Sequence, residues 1–485
     1  MKLGALFEEA PAEAADVEVV GLTADSRRVR PGFVFAALQG AAAHGRDFVE
    51  QAVAAGAVGV LSAGDLGRPV AAPEIVSPEP RRALALAAAK LHPLQPLVLA
   101  AVTGTNGKSS TVDFLRQIWS HAGRAAASLG TLGAIGPSGR IDLGHTTPDP
   151  VAVHETLQRL AQEGVTHAAM EASSHGLDQH RLDGVRLAAA AFTNLTQDHL
   201  DYHHTMEAYR DAKLRLWTLA PAGAPGVVCA DAPHAAEFEA GARARGLAVT
   251  TCGWRAHAQD LKIKEIWPRP NGQRLVLSWR GVEAVVELPL IGEFQALNAV
   301  CAAATALGLG EEPGKVWAGM ARLVPVRGRI EEVGVARNGA HVFVDYAHTP
   351  DGLDVLLRAA RPHAPGRIVL VFGCGGDRDR GKRPKMGAIA QRFADLVIVT
   401  DDNPRSEPPA AIRAEVLAGC PGAREIGDRR EAIRTAVALL QPGDALLIAG
   451  KGHETGQIIG AEVHPFSDQE EARAALAALG SEADA

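Results

Sequence analysis

The sequence predicts an α/β fold in which helices cover parallel sheets. Apolar runs of strand length alternate with helical patterns from about residue 94 to 325, and a new alternation starts at about residue 326. Polar and glycine-rich clusters follow several of these runs, as is typical of the carboxyl ends of parallel strands. With 485 residues the chain is too long for one ordinary core, so we expect two to four domains.

The composition is that of a globular protein. Hydrophobic residues make up 47% and charged residues 22%, and the net charge of −7 argues against a general nucleic-acid binder. No charged leader precedes an apolar run and no window holds about 18 apolar residues, so we expect neither a signal peptide nor membrane insertion. The five cysteines form no Cys-x-x-Cys pair, which predicts free thiols in a reducing cytoplasm and neither a disulfide scaffold nor a zinc site. They are Cys229, Cys252, Cys301, Cys374 and Cys420.

The first segment, residues 1 to about 88, contains short apolar stretches broken by turns. Phe33–Leu38 and Val58–Leu61 are two such stretches. Pro80 opens a helical run to Lys90, which predicts the exit from this segment.

The central segment begins with the pattern of a phosphate-binding loop. An apolar run, Pro96–Val102, predicts a buried strand, and Thr111–His121 has apolar residues at helical spacing. Between them lies the glycine-bearing turn that ends in Lys108-Ser109. Backbone N–H groups of such a turn point at phosphates, the lysine reaches the β/γ-phosphates, and the serine hydroxyl can bind Mg²⁺. Because Val102 stands where the usual motif has its first glycine, a generic glycine-rich turn stays an alternative.

Carboxylate and imidazole side chains follow two later strands of this segment. Glu171 ends the predicted strand Ala168–Glu171 and could hold Mg²⁺ beside the loop, or be a surface carboxylate. The strand Ala188–Thr193 precedes a loop in which Asp198, His199, Asp201 and His203 lie within six residues. We favour a role in Mg²⁺ or ATP binding for this loop, and a polar loop with a helix cap or a zinc site are the alternatives.

Lys213 lies in a helical stretch, Met206–Leu219, soon after that loop. From the sequence pattern alone we expect a solvated helix lysine.

The third segment contains four predicted strands that each precede a polar loop. The strands are His341–Asp345, Arg367–Phe372, Ala394–Thr400 and Asp444–Ala449. Because the carboxyl ends of parallel strands share one edge of a sheet, we expect the four loops to form one substrate face. Arginines in two basic turns, 326–329 and 373–383, suit bidentate capture of a carboxylate or phosphate, although a solvated charge run is the alternative.

The motifs occur in the order seen in one family. They are Gly104–Ser110, Glu171–Leu182 (EASSHGLDQHRL), Phe192–His203, Asp345–Pro350 (DYAHTP), Gly373–Pro384 (GCGGDRDRGKRP), Asp402–Arg405 (DNPR) and Gly450–Glu454 (GKGHE). From about residue 20 to 470 the chain resembles the Mur ligase family, ATP-dependent amide-forming ligases of peptidoglycan synthesis. The resemblance implies three domains: an N-terminal α/β UDP-substrate domain (1–88), a central P-loop parallel-sheet ATPase-like domain (89–325) and a C-terminal Rossmann-like amino-acid-binding domain (326–485).

The resemblance also implies roles for individual residues. ATP would be bound by Gly104, Thr105, Asn106, Gly107, Lys108, Ser109, Ser110, Asn298, Arg329, Asp345 and His348. The UDP-linked substrate would be bound by Ala24, Ser26, Ala41, Ala42, Ala43, His145, Thr146, Thr147, Ser173, Gln179 and Arg181. The amino acid would be bound by Arg378, Asp402, Asn403, Pro404, Arg405, Gly450 and Glu454. The catalytic set would be Lys108, Glu171, His199 and Lys213, and the metal ligands would be Ser109, Glu171, His199 and a carbamylated Lys213.

The implied reaction joins meso-diaminopimelate to UDP-MurNAc-L-Ala-D-Glu, with ATP and Mg²⁺ as cofactors, in a cytoplasmic monomer that serves cell-wall growth and cell division. Diaminopimelate has a second carboxylate that Arg405 could bind through a bidentate pair, whereas L-lysine would leave the guanidinium unpaired. Three alternatives stay open: the same chemistry with L-lysine or another diamino acid, a folylpolyglutamate synthetase, and a non-catalytic nucleotide-binding protein.

Overall fold

The computed structural model describes residues 1–40, 43–64, 66–67, 69–254 and 258–482. The chain folds into two compact units, Met1–Leu261 with Val300–Gly319, and Lys262–Ala299 with Met320–Ala485. Both contain parallel sheets and helices, so the predicted α/β class is confirmed. Among the helices of the described residues, none has the length and apolar character needed to cross a membrane.

The first unit opens with a small parallel sheet of four strands in the order β1-β2-β3-β4. Its elements are α1 Leu3–Leu6, β1 Gly21–Thr23, β2 Phe33–Ala36, α2 Val49–Ala54, β3 Gly59–Ser62, β4 Glu74–Val76 and α3 Pro80–Leu91. The two predicted apolar stretches form β2 and β3, and Pro80 is the first residue of α3, where its missing N–H costs no helical hydrogen bond. Short 3₁₀ helices lie at Ala12–Ala14, Ser26–Arg28 and Gly45–Phe48.

A second sheet of the first unit has the order β12-β11-β10-β5-β9-β6-β7-β8. Its elements are β5 Val98–Thr103, α4 Lys108–His121, β6 Ala126–Gly130, β7 Gly133–Gly136, β8 Gly139–Ile141, α5 Pro150–Gln162, β9 His167–Glu171, α6 Ser174–Asp178, β10 Ala189–Phe192, α7 Leu200–His203, α8 Met206–Leu214, β11 Pro225–Cys229, α9 Ala235–Ala244 and β12 Ala248–Gly253. Strand β5 is buried on both faces from Leu99 to Thr103, as a central parallel strand requires. Strand β6 was not predicted because its sequence, AASLG, is rich in residues of weak strand preference.

The second unit begins with strands and not with the predicted alternation. Strands β13 Leu261–Arg269, β14 Gly272–Trp279 and β15 Val282–Leu288 follow one another in sequence and in sheet order, and β14 pairs antiparallel with β15. The prediction of strand–helix alternation up to residue 325 is therefore wrong over this stretch. The Asn271-Gly272 pair at the start of β14 is a hairpin signal in the sequence, whereas Arg280 and Gly281 form the turn before β15 with positive φ (+49° and +90°) without such a signal. Helix α10 Glu293–Gly308 starts in this unit and belongs to the first unit from Val300 onward, and α11 Pro313–Met320 belongs to the first unit except for Met320.

The remaining sheet has the order β16-β17-β21-β18-β19-β20 and is parallel except for the edge strand β16. Its elements are β16 Glu331–Val335, β17 His341–Asp345, α12 Pro350–Ala360, β18 Ile368–Phe372, α13 Lys382–Phe393, β19 Leu396–Val399, α14 Pro409–Leu417, β20 Arg424–Glu425, α15 Arg429–Ala438 and β21 Ala445–Ala449, followed by the hairpin β22 Gly456–Ile459 and β23 Glu462–Pro465 and by α16 Asp468–Glu482. Alternate residues of β18 enter different cores, with Leu370 in one and Val371 in the other, so helices cover both faces. Since β17, β21, β18 and β19 are parallel neighbours, the four loops after them do lie at one edge, as predicted.

A buried arginine supports two of these loops. Arg383 has a fully buried side chain that pairs with Glu407 (Nη2–Oε1 2.8 Å) and Glu415 (Nη1–Oε2 2.8 Å) and donates to the Gly375 carbonyl (3.2 Å). Its hydrogen bonds, with one from the Asp377 N–H, lower the pKa of Glu407 from 4.5 to about 2. The carboxylate therefore stabilises the folded chain above the unfolded pKa, and this stabilisation is lost as pH falls toward 2.

We predict that Glu407→Gln lowers the free energy of unfolding at about pH 7 and that the difference from the unmodified protein shrinks steadily below about pH 4.5. Urea denaturation at a series of pH values measures both quantities. Glu239→Gln, which removes a surface partner of Arg243 on α9, is the matched control and should have little effect at any pH. A pH-independent difference for Glu407→Gln would contradict the prediction.

Candidate active site

The loop after β5 has the geometry of a phosphate cradle. Gly107, with φ +84°, directly precedes the first residue of α4, so the N–H groups of that helix end face the loop. Gly104 has φ +150°, and a Cβ there would lie 1.9 Å from the Thr193 Oγ1, so only glycine fits. Lys108 donates from Nζ to the carbonyls of Gly104 and Thr105, both at 2.8 Å. The lysine thus lies over the loop where a phosphate would be bound.

Residues after β10 hold this loop from the other side. The Asn106 N–H donates to the Asn194 Oδ1 (2.9 Å), and the Thr193 hydroxyl donates to the Asn106 carbonyl (2.6 Å). The Thr105 N–H donates to the Asn194 carbonyl (2.8 Å). Thr193 and Asn194 were not among the predicted site residues, although their position directly after a central strand was a usable signal.

The predicted metal ligands Ser109 and Glu171 are in contact. The Ser109 hydroxyl donates to the Glu171 Oε1 (2.9 Å), and the Thr131 N–H donates to the same oxygen (2.8 Å). Glu171 is only 3% exposed, so the alternative of a surface carboxylate is wrong. A Cβ on Gly130 would lie 2.0 Å from the Oε1, which shows how closely the backbone surrounds this carboxylate. Ser110, the last residue of the predicted loop motif, is buried in the first turn of α4.

Lys213 is buried against the same loop. Its side chain is 1% exposed, its Nζ donates to the Gly104 carbonyl at 2.7 Å and lies 4.5 Å from the centre of the Tyr209 ring. The expectation of a solvated lysine is wrong, because α8 turns this face toward the loop. Burial, and then the positive charge of Lys108, hold the pKa of Lys213 well below its usual value of 10.5. Loss of the proton, which frees a nucleophilic amine, is thereby easier than for a solvated lysine.

His199 lies in a cluster of aromatic rings. It has a left-handed backbone (φ +53°) directly before α7, and its side chain is 46% exposed and lies 3.5 Å from the Asp198 carboxylate. Its ring centre is 4.9 Å from that of His175, which in turn lies 4.1 Å from Tyr202. Burial, together with the nearby His199 and His203, lowers the pKa of His175, so this ring is neutral at neutral pH. His175 was not among the predicted site residues.

Four predicted substrate residues line one cavity of about 220 Å³ in the first unit: Ala24, His145, Gln179 and Arg181. Arg181 donates to the Thr147 carbonyl (2.6 Å) and to the Gln179 Oε1 (2.8 Å from Nη2). The wall of the cavity also contains Arg81 and Asp149, two charged residues that are not among the predicted site residues.

Of the other predicted substrate residues, Thr147 is joined to the cavity through its bond from Arg181, and the rest have contacts elsewhere. Thr147 donates to the Glu171 carbonyl (3.1 Å), and the hydroxyls of Thr131 and Thr146 are 2.9 Å apart. Ser173 caps α6 by accepting from the Gly176 N–H (3.0 Å), and Ser26 lies 3.4 Å from the Gln51 amide oxygen. Ala43 is exposed, and its carbonyl accepts from the Gly40 N–H (3.0 Å). Ala41 and Ala42 lie outside the described residues.

In the second unit, the predicted nucleotide residues form a connected group. Asn298 donates to the Gln295 Oε1 (3.2 Å), and Gln295 donates to the Arg329 carbonyl (3.1 Å). The Arg329 guanidinium lies 4.9 Å from the centre of the Tyr346 ring. Asp345 accepts from the N–H groups of Ile330 (2.8 Å) and Ala347 (2.7 Å), and burial raises its pKa despite these bonds. His348 lies 2.8 Å, through Nδ1, from the Tyr346 carbonyl.

The predicted amino-acid residues meet at the carboxyl ends of β18, β19 and β21. Asn403 donates to the Glu454 Oε2 (2.9 Å), and the fully buried Lys451 donates to the Asn403 Oδ1 (3.0 Å) and the Glu454 Oε2 (3.2 Å). The Lys451 Nζ is also 3.8 Å from the Asp402 carboxylate. Gly450 has φ +117°, and a Cβ there would lie 2.6 Å from the Asp402 Oδ2. Lys451 was not selected from the sequence, although it lies inside the GKGHE motif.

Two predicted arginines lie beside one glycine. A Cβ on Gly375 would lie 2.8 Å from the Arg405 Nη1 and 4.0 Å from the Arg378 Cγ. Arg405 donates from Nη1 to the Gly376 carbonyl (2.8 Å) and has a left-handed backbone, φ +51°. The carbonyl of Pro404 would lie 1.9 Å from a Cβ on Gly376, so two glycines let these loops approach. The arrangement offers guanidinium donors next to backbone dipoles, which suits a carboxylate ligand.

Three family profiles match this chain, and they describe domains of one family. Residues 18–91 match the profile "Mur ligase family, catalytic domain", residues 102–306 the "Mur ligase middle domain" and residues 328–452 the "Mur ligase, glutamate ligase domain". The chain is 53% identical over 471 residues to a Bradyrhizobium diazoefficiens protein named UDP-N-acetylmuramoyl-L-alanyl-D-glutamate--2,6-diaminopimelate ligase, covering 96% of each chain. It is 52% identical to a Caulobacter vibrioides protein of the same name, again covering 96% of each.

A solved structure of a protein with that name, 34% identical to this chain, covers 99% of both chains with a TM-score of 0.76. The predicted three-domain α/β architecture is thus confirmed, whereas the boundaries at 88/89 and 325/326 stay predictions. The profile matches between residues 18 and 452 and the more than half-identical relatives lead to one conclusion: this chain belongs to the Mur ligase family.

Proposed function

We propose that this chain joins meso-2,6-diaminopimelate to the D-Glu residue of UDP-MurNAc-L-Ala-D-Glu, with conversion of ATP to ADP and phosphate. The observation that carries this proposal is the convergence of three groups on the loop Gly104–Ser110. They are Lys108, the Ser109–Glu171 pair and the buried Lys213. The names of relatives more than 50% identical over 96% of the chain supply the substrates. This identity also speaks against the folylpolyglutamate synthetase alternative.

ATP is assigned to the loop through its phosphates. The N–H groups of the loop and of the start of α4 would bind the phosphate oxygens, and Lys108 would leave its two carbonyl partners to reach the transferring phosphoryl group. Asn298, Arg329, Asp345 and His348 are assigned to the same nucleotide. In this role the positive charge of Lys108 stabilises the negative charge that spreads over the phosphoryl oxygens in the transition state.

The donor set beside the loop fits Mg²⁺. The Ser109 hydroxyl and the Glu171 carboxylate are hard oxygen ligands 2.9 Å apart, and Glu171 has a backbone N–H to orient it. We assign Ser109 and Glu171 to the nucleotide-bound ion, and a carbamylated Lys213, alongside Glu171 and His199, to a second Mg²⁺. Bound Mg²⁺ supplies charge neutralisation at the phosphates.

The cavity with Gln179 and Arg181 is assigned to the UDP-linked substrate. Arg181 offers a guanidinium to an anionic group, and its bonds to Thr147 and Gln179 fix its direction. Ala24, Ser26, the turn 41–43, His145, Thr146, Thr147 and Ser173 complete this assignment.

The chemistry has two steps. An oxygen of the D-Glu carboxylate attacks the γ-phosphorus of ATP, the bond to ADP breaks, and an acyl phosphate forms. The amine of diaminopimelate then attacks the acyl carbon, phosphate leaves, and the amine loses a proton as the amide forms. Arg378, Asp402, Asn403, Pro404, Arg405, Gly450 and Glu454 are assigned to the amino acid, with Arg405 on its distal carboxylate.

Lys213 is proposed to be carbamylated. Its neutral amine attacks CO₂ and loses a proton. The product is a carbamate, an anion that can bind Mg²⁺, in place of a buried amine that would become a cation on protonation. The low pKa of Lys213 supports this step because only the unprotonated amine reacts.

We further propose domain boundaries at 1–88, 89–325 and 326–485, a monomer, and a cytoplasmic role in peptidoglycan precursor synthesis that serves cell shape and division.

We predict that Lys108→Ala lowers ADP release by about 100- to 1,000-fold, because the transferring phosphoryl group loses its lysine. ADP release is measured with UDP-MurNAc-L-Ala-D-Glu, meso-diaminopimelate, ATP and Mg²⁺. Lys90→Ala is the matched control: Lys90 also donates to a backbone carbonyl (Leu6, 3.0 Å), but on the helix α3. Turnover of Lys108→Ala within tenfold of the control would overturn the loop assignment.

We predict a carbamate signal from Lys213 when the protein is equilibrated with ¹³C-bicarbonate and examined by ¹³C NMR. The signal should grow with rising pH and vanish on acidification, since protonation removes the nucleophilic amine and reverses the reaction. It should be absent from Lys213→Gln and present in Lys90→Ala. A signal of equal size in Lys213→Gln would disprove modification at this residue.

We predict that Arg405→Lys lowers kcat/KM for meso-diaminopimelate by about 10- to 100-fold, because a bidentate charged pair is lost. The value for L-lysine should change little, so competition between the two amino acids measures the selectivity directly. Arg358→Lys, which alters an exposed pair with Asp354, is the control. If the unmodified chain already prefers L-lysine, the proposed amino acid is wrong while the ligase reaction stands. If the unmodified chain releases ADP neither with the two diamino acids nor with folate substrates, a non-catalytic protein is favoured.

A further inference from the structure

Three of the five cysteines meet inside the first unit, although they are far apart in the sequence. Cys229 ends β11, Cys252 lies in β12, and Cys301 lies on α10. The sulfurs of Cys229 and Cys252 are 3.7 Å apart, and the three sulfurs all lie within 4.8 Å of one another. The prediction of scattered thiols without a metal-binding arrangement missed this cluster, because spacing along the chain does not show which strands pair.

The scaffold fixes these three sulfurs. Cys229 and Cys252 are direct partners in the parallel ladder of β11 and β12, so their side chains point to the same face. Cys252 and Cys301 are fully buried, and Cys229 is 6% exposed. Ligands on paired strands and a packed helix hold their positions before any ion arrives, which lowers the cost of binding.

The other two cysteines show what a structural thiol looks like in this chain. Cys420 is buried alone and donates to the Val416 carbonyl (3.4 Å), and Cys374 packs against the Met386 sulfur (3.6 Å). Each behaves as a small apolar residue with one weak contact. Alanine or valine at positions 229, 252 and 301 would fill the core equally well. The need for small apolar side chains therefore does not explain why three sulfurs meet at one point.

We propose that Cys229, Cys252 and Cys301 form a binding site for one thiophilic monovalent cation, Cu(I), held by three sulfurs. Three sulfurs around one ion at a bond length of about 2.3 Å lie about 4 Å apart in a trigonal plane, close to the observed separations. Soft thiolate ligands select Cu(I) and zinc over hard cations. Structural zinc sites are closed by four ligands, whereas the ligand group in the described part of the chain consists of these three thiols alone. Three-coordinate Cu(I) is therefore the better match.

Binding requires no redox step. One Cu(I) replaces one thiol proton, which goes to solvent, with no change in the charge of the cluster, and each further proton lost to solvent would add a negative charge that burial disfavours. Cys229, at 6%, is the one member of the cluster with exposed surface, so we expect the ion to enter on its side.

The test is an anaerobic titration of the full chain, reduced with a phosphine, with Cu(I) against a chromophoric Cu(I) chelator. We expect one equivalent per chain and a rise in the thermal unfolding midpoint, because the ion binds the folded form. Cys229→Ala, Cys252→Ala and Cys301→Ala should each lower the affinity by more than about 100-fold, the upper end of the loss caused by removing an outer-shell partner. Cys420→Ala, which removes an equally buried thiol outside the cluster, should leave affinity unchanged.

X-ray absorption of the unmodified Cu(I)-loaded chain keeps the test independent of whether the variants fold. Three sulfur neighbours at about 2.3 Å are expected. Nitrogen or oxygen neighbours, uptake that survives all three cluster substitutions, or equal loss in Cys420→Ala would overturn the site. Zn(II) that binds with the same stoichiometry and resists displacement by Cu(I) would overturn the choice of cation.

Discussion

The parallel pairing of β5 with β9 and β10 is the constraint on which the site of the first unit depends. In register, Val102 lies beside Glu171 and Thr103 beside Phe192, so the three strands end at the same level. The residues that follow therefore meet at one edge: the glycine loop, the Glu171 carboxylate and the Thr193-Asn194 pair. A shift of one strand by one residue would turn Glu171 to the other face of the sheet and separate it from Ser109.

Burial then determines the chemistry of the groups brought together there. Lys213 and Lys108 both donate to the Gly104 carbonyl, so two amines share one small, poorly hydrated space. Two positive charges so close repel each other, and this repulsion adds to the desolvation that disfavours the protonated form of Lys213. The Glu171 carboxylate is instead oriented by two hydrogen bonds, from the Ser109 hydroxyl and the Thr131 N–H. Three groups thus contact one loop: the cationic Lys108, Lys213 with its lowered pKa, and the Glu171 carboxylate.

In the second unit, buried cations hold the polar loops in position. Its loops follow β17, β18, β19 and β21, and ion pairs behind them fix their positions. Arg383 joins the Gly375 loop to Glu407, and Lys451 joins Asn403 to Glu454. Because these cations are fully buried while their acidic partners are partly exposed, loss of a partner would leave an uncompensated buried charge, which favours the observed arrangement of the loops. Arg405 can then present its guanidinium with little loss of conformational freedom.

The sequence by itself determined the α/β class, the strand that precedes the loop, the four strands with polar loops in the second unit and most of the candidate residues. These features are local: a buried strand, a glycine turn and a helix start each have a signature within a few residues. The tertiary structure alone decided that Lys213 is buried, that Glu171 contacts Ser109, that Lys451 supports Asn403, and that Cys229, Cys252 and Cys301 meet. It also replaced the expected alternation at β13–β15 with consecutive strands. The physical reason is that strand order, register and helix packing bring together residues more than a hundred positions apart, such as Lys213 and Gly104, and no local pattern encodes those contacts.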